Sequence, residues 1–254
     1  MIMDAMCEKY ECFNRVMRIT GRETFNKICE TRVIIFGIGG VGSWCAESLI
    51  RSGIMHLTIV DADVVAASNI NRQLPATTST VGLPKVNVMK ARLLDINPHA
   101  HITAINDVYN EHTAEKFNLE SYDYIVDAID SLSDKAHLIL KATSTNAKFV
   151  SSMGAALKVD PTAIKMAEFW KVKGCPLAAS LRRKFKKSGI YPKRKFKCVY
   201  SDEQPMKNDD TCVDLTGAMS FNKASINGAI CHTTAIFGLY LAAFVLNHII
   251  GREK

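Results

Sequence analysis

From residue 8 to 30, polar and apolar positions alternate at roughly helical spacing, and Gly21 interrupts the run. The period then changes. Residues 32–36, RVIIF, are a short apolar run rich in β-branched side chains, and residues 56–60, HLTIV, are a second that stops on Asp61. Between them, 42–52 keeps helical spacing until Gly53 ends it. A helix over 83–94 is closed by Asn97-Pro98, because a residue before proline is pushed out of the helical region. Strands over 101–105 and 124–129, a helix over 133–146 and a strand over 148–152 continue the alternation. This order predicts an α/β fold: a Rossmann-like, doubly wound, mostly parallel sheet preceded by amino-terminal helices.

After Gly154 the pattern is less periodic. A basic stretch and an acidic, Asn-rich loop from Ser201 to Asp214 read as insertions into one domain spanning 1–254. Its core would occupy about 30–154, and a basic, substrate-binding part about 155–254. The last apolar run, 236–250, has fifteen residues, short of the roughly twenty that cross a bilayer. It reads as a helix in the core or at a dimer interface, with peripheral membrane contact as the alternative.

Charge changes this picture at one place. The chain of 254 residues carries a net +7, yet between Phe169 and Ser201 there is no acid and eleven Lys or Arg. Without those eleven the net charge would be −4. Arg182, Arg183, Lys186, Lys187, Lys193, Arg194 and Lys195 are the densest part of that segment, interleaved with Phe185 and Tyr191. A polyanion, with nucleic acid first, is the expected partner. The eight cysteines contain no C-x-x-C pair, so no zinc site is expected. Scattered cysteines behind a short, charged amino terminus suggest a cytoplasmic protein, with membrane association left open.

Candidate chemistry begins at Gly37-Ile38-Gly39-Gly40-Val41-Gly42, directly after the first strand. Glycines let a strand turn sharply into a helix and let backbone approach a phosphate, and the helix N-terminus offers free N–H groups. Asp61, 24 residues after Gly37, suits ribose hydroxyls. The loop itself does not separate a nicotinamide dinucleotide from ATP. The polar residues beyond it do: Asp63, Asn69, Asn71, Arg72, Gln73 and Lys85, then Asp127 and Asp130 at the end of a buried strand. Singly, Arg72 and Lys85 read as surface charge and Asp130 as a helix N-cap. Together, on one side of one sheet, they point to an ATP site where cations stabilise phosphate charge and a carboxylate holds Mg²⁺.

The stretches GIGGVGS, D-x-D-x-V-x-x-S-N-I-N-R-Q, VGLPKV and DAIDS resemble the ubiquitin-activating-enzyme-like adenylating family. That resemblance implies ATP held by Gly39, Gly40, Gly42, Asp61 and Asp63, with Asn69 and Gln73 near ribose and phosphates. It implies Arg72 and Lys85 on phosphates, Asp130 on Mg²⁺, a homodimer, and Arg18 (or Arg15) reaching the partner's nucleotide. The basic segment and the residues before it are similar to the tRNA threonylcarbamoyladenosine dehydratase subgroup. There, ATP adenylates the threonyl carboxylate of the modified adenosine, and a group within the modification closes a ring and expels AMP. No catalytic thiol is required, so Cys175 is not assigned one. The alternative inside the family is activation of the C-terminus of a ubiquitin-like sulfur carrier. A cysteine desulfurase or sulfur-acceptor partner and a monovalent cation are further expectations. Outside the family, a nicotinamide oxidoreductase leaves Lys85 without a role, and a non-catalytic adaptor leaves Arg72, Lys85 and Asp130 unexplained.

Overall fold

A computed structural model describes residues 10–209 and 227–252. Two short helices, α1 (Asn14–Thr20) and α2 (Arg22–Glu30), pivot at Gly21 and lead into β1 (Arg32–Phe36). Next come α3 (Gly42–Arg51), β2 (His56–Val60), α4 (Lys85–Ile96), β3 (His101–Ile105), β4 (Tyr124–Asp127), α5 (Leu132–Ala142) and β5 (Lys148–Ser152). The first three strands and β5 begin and end where the apolar runs do. β4 stops two residues early, because Asp127 turns inward and its carboxylate takes the Ile129 N–H at 3.0 Å.

The sheet order is β3-β2-β1-β4-β5-β7-β6, with β6 (Ile164–Glu168) alone antiparallel. β1 lies inside the sheet, between β2 and β4, and both faces of it are covered. Val33 and Ile35 join Leu49, Met89, Phe237 and Leu241 on one side; Ile34 and Phe36 join Ile125, Leu138 and Leu181 on the other. That is why RVIIF reads as a continuous apolar run rather than an alternating one. The strand order reverses between β1 and β4, so their carboxyl ends open the crevice where open α/β sheets bind ligands.

The basic stretch is more than an insertion. It supplies α6 (Pro176–Ser188) and β7 (Lys197–Ser201), and with β6 it widens the same sheet. Leu181 and Phe185 are buried on α6, and Phe196 is buried at the entry to β7, beneath the cations that dominate the sequence there. The acidic loop from residue 210 onward, Cys7 and Cys212 lie outside the described residues. The final helix also departs from expectation. α7 runs Cys231–Ile250, twenty residues, five more than the apolar run. Its first turn carries polar side chains that all find partners: Thr234 Oγ1 donates to Cys231 O at 3.0 Å within the helix, and Thr233 Oγ1 donates across to Lys158 O at 3.1 Å. Among the described residues it is the one helix long and apolar enough to cross a membrane. Here Phe237, Gly238, Leu241, Ala242 and Val245 are buried, and the helix lies along α3.

Candidate functional site

The glycine loop sits at the switch point. Gly37 has φ +88°, and a Cβ there would stand 2.7 Å from Ala128 O; a Cβ on Gly42 would stand 1.8 Å from Gly37 O. Both positions therefore admit only glycine. Gly39 differs: a Cβ there would meet nothing nearer than Gln73 Nε2 at 3.7 Å, so its surface is open for a ligand. Gly40 lies under Thr234 of α7, which a Cβ would approach to 3.2 Å.

Asp61, at the end of β2, holds this loop. Its carboxylate accepts the Ile38 N–H at 2.7 Å and the Asp63 N–H at 2.8 Å. Burial pushes the carboxyl above its ordinary range, and the charge of Lys85 draws it part of the way back. Lys85 is the first residue of α4, only 5% exposed, and its Nζ donates to Asp63 Oδ2 at 2.7 Å. The two acids after β2 thus divide the work: Asp61 fixes backbone, and Asp63 holds the lysine.

Arg72 follows a short 3₁₀ turn over Ala67–Asn69. Its Nη1 donates to Ser68 O at 2.9 Å and to Asn71 Oδ1 at 2.7 Å, while its carbonyl takes the Trp44 indole N–H at 3.2 Å. Burial lowers the guanidinium's pKa, and the nearby Asp130 carboxylate raises it, so this cation and this acid share the crevice. Asn69 Oδ1 accepts the Ala66 N–H at 3.1 Å and shapes the turn. Asn71 Nδ2 reaches Ala229 O at 2.8 Å, tying the turn to the approach to α7. Gln73 is buried, and among the described residues its Oε1 has no hydrogen-bond partner. Nε2 is the amide atom on the Gly39 side, so Gln73 presents a hydrogen-bond donor to a ligand laid over that glycine. Asp130 is exposed and is not the N-cap of α5; Ser131 holds that position. One carboxylate facing phosphates suits Mg²⁺, which keeps most of its waters and is bound together with a nucleotide.

Two residues escaped the sequence reading. Lys135 and Ser151 are fully buried, and both donate to Asp127 Oδ2 at 2.6 Å. The signal was there: Lys135 stands on a helix face otherwise made of Ala136, Leu138 and Ile139. Asp127 is thereby consumed by the fold, and Asp130 is left as the acid of that pair turned towards the crevice.

The basic residues do not gather at this crevice. β7 runs parallel to β5 with Lys197 opposite Val150, so Lys193, Arg194 and Lys195 lie at the amino edge of the sheet, away from the glycine loop. Arg182 Nη1 donates to Phe169 O at 3.1 Å and Val172 O at 3.0 Å, and Arg194 Nη2 donates to Ala147 O and Ala142 O. These two guanidiniums hold backbone. Arg183, Lys186, Lys187, Lys193 and Lys195 are exposed. Arg18 is exposed on α1, where its Nε donates to Asn14 Oδ1 at 2.9 Å. Cys175 is buried at the start of α6, against the open side of Gly154.

A doubly wound sheet with a glycine loop at its switch point, two cations and an exposed acid defines a nucleotide-binding α/β protein. More particularly, the chain belongs to the ThiF family, whose model matches residues 13–254. It is 41% identical over 194 residues to the tRNA threonylcarbamoyladenosine dehydratase of Bacillus subtilis, covering 76% of each chain. To the enzyme of that name from Escherichia coli it is 33% identical over 251 residues, 94% of each. The crystal structure of the E. coli enzyme in complex with ATP superposes with a TM-score of 0.83 at 30% identity, covering 96% of this chain and 95% of that one.

Proposed function

We propose that this protein is an ATP-dependent tRNA threonylcarbamoyladenosine dehydratase. The carrying observation is the open surface of Gly39 with the Gln73 amide beside it, bounded by Lys85, Arg72 and Asp130. That set binds a nucleoside triphosphate and stabilises charge on its phosphates; it offers nothing for hydride transfer. ATP would lie along Gly39, Gly40 and Gly42, with its ribose towards Asp61 and Gln73. Asp130 would hold Mg²⁺, which offsets charge on the phosphates.

The threonyl carboxylate of the modified adenosine attacks the α-phosphorus, and pyrophosphate leaves. Arg72 and Lys85 stabilise the charge that builds on the phosphate oxygens, about 3 kcal/mol for a well-placed donor. Lys85 first has to exchange Asp63 for phosphate, so the Lys85–Asp63 pair is the resting state of that cation. A group of the same modification then attacks the activated acyl carbon, closes a ring and expels AMP, for a net loss of water. The nucleophile belongs to the substrate, so the protein supplies positioning and charge. Residues of about 155–254 form the RNA-binding part in this reading, with Arg183, Lys186, Lys187, Lys193 and Lys195 on RNA phosphates. The chain acts as a homodimer in the cytoplasm, Arg18 completing the partner's site.

The test is direct. Incubated with ATP, Mg²⁺ and tRNA carrying the modification, the protein should lower the mass of the modified nucleoside by 18 daltons, with one AMP released per event. AMP release only with a ubiquitin-like carrier protein, and no change in the nucleoside, would replace this reading with carrier activation.

A further inference from the structure

A row of aromatic rings runs outward from the far end of the sheet. Phe149 on β5 meets Phe196 at 5.1 Å between centroids, Phe196 stacks on Phe169 at 5.0 Å and 18°, and Phe169 meets Trp170 edge-on at 5.1 Å. Trp170 in turn lies 6.1 Å from Tyr191. The first three rings are buried; the last two are 40% and 50% exposed, and Ile190 beside them is 58% exposed.

The Trp170 member of this pair sits on a turn that is held firmly. Glu168 caps the 3₁₀ turn Phe169–Lys171 by accepting the Trp170 N–H at 3.2 Å. Arg182 clamps the same turn through Phe169 O and Val172 O, with its guanidinium over the Phe169 ring at 5.9 Å. Two large rings in contact and half facing water, one of them on a fixed turn, form a ready stacking surface. The charge around them selects the guest. Lys171, Lys173, Lys187, Lys193 and Lys195 are exposed on the same segments, and no acid occurs between Phe169 and Ser201. A π face among cations suits a base flanked by phosphates.

We propose that Trp170 and Tyr191 form a stacking site for an unpaired nucleobase of the RNA substrate, remote from the reacting nucleotide. The proposal rests on the RNA reading given above. Its position follows from register: Glu168, two residues before Trp170, pairs with Lys197, the first residue of β7, and Lys197 pairs with Val150 in the middle of the parallel β5, so Trp170 and the residues before Lys197 lie on the amino-terminal side of β7. The platform is therefore at the amino edge and the glycine loop at the carboxyl edge. Five-residue strands and their flanking turns put them about 20 Å apart. A single nucleotide does not touch both; a folded RNA does.

The probe is an unmodified tRNA transcript, with affinity measured at several salt concentrations. Trp170→Ala and Tyr191→Ala should each weaken binding about tenfold while leaving the slope of log K against log salt unchanged. Lys187→Ala should instead flatten the slope, and Tyr191→Phe should bind as the parent does. In a Trp44→Phe background Trp170 is the remaining indole, and the transcript should quench its fluorescence. If the parent binds and turns over tRNA but neither Ala variant loses affinity and no quenching occurs, the stacking site is wrong and the function stands. A change in self-association without a change in RNA affinity would assign the surface to a second copy and overturn the proposal. A parent that neither binds the transcript nor converts modified tRNA would remove the RNA reading as well.

Discussion

Lys135 has no exposed surface, yet its ammonium lies 2.6 Å from an equally buried carboxylate. Such a pair is poor evidence of net stability, since taking two charges out of water offsets much of their attraction. Its use here is geometric. Asp127 ends β4 and holds the Ile129 N–H, so the turn that presents Asp130 is set by Lys135 and Ser151 from below. Lys135→Met should cost about 3–5 kcal/mol, because it leaves a buried carboxylate without its cation. Thermal unfolding at pH 7 measures this, and a deficit under about 1 kcal/mol would deny the buried pair its role. Adding Asp127→Asn to Lys135→Met should recover part of the loss at pH 7.

At the scale of elements, α7 closes on the glycine loop as a lid of backbone. A Cβ on Gly238 would stand 2.3 Å from Val41 O and 2.8 Å from Trp44 Cβ, and Thr234 sits over Gly40. Gly238→Ala should therefore push α7 away from the start of α3. We expect a loss of about 1–3 kcal/mol, as for other overpacked sites, and weaker ATP binding. Isothermal titration with ATP at a temperature where the variant stays folded separates the two effects; unchanged ATP affinity would show that α7 does not shape the loop. Little of this contact was legible beforehand. Strands β1, β2, β3 and β5 were read to the residue, since each is a compact apolar run whose two faces are both buried or end at a turn signal. β6, α6 and β7 were hidden by the cations that share their segments. The apolar residues Ala178, Leu181 and Phe185 sit at helical spacing there, yet charge density drew the reading towards a surface loop. The start of α7 was hidden by its threonines. The crevice itself was legible because glycines and charged residues recur at turns after successive strands. The choice of Asp130 over Asp127 came from the family resemblance and not from the residues themselves, because what takes Asp127 out of the crevice is Lys135 and Ser151 from other elements.

For the whole molecule the arrangement is polar in both senses. ATP chemistry belongs to the carboxyl edge of the sheet, while Lys193, Lys195 and the Trp170–Tyr191 pair occupy the amino edge beyond β5. A substrate that uses both must lie across the molecule, past β5, β7 and β6. The remaining piece is α1, whose Arg18 is exposed. If Arg18 acts on the partner's nucleotide, Arg18→Ala and Asp130→Ala are defects in different copies' contributions to one site. Each homodimer should then lose at least about a hundredfold in AMP formation. Mixed and refolded together in equal amounts, they form heterodimers in which one site has both an intact Asp130 and the partner's intact Arg18. Random assortment makes half the dimers heterodimers with one good site of two, so activity should return to about a quarter of the parent value. Were Arg18 to serve its own chain's site, each protomer of the heterodimer would keep its own defect, and mixing would restore nothing. The return of activity on mixing thus reports both the dimer and the direction in which α1 reaches.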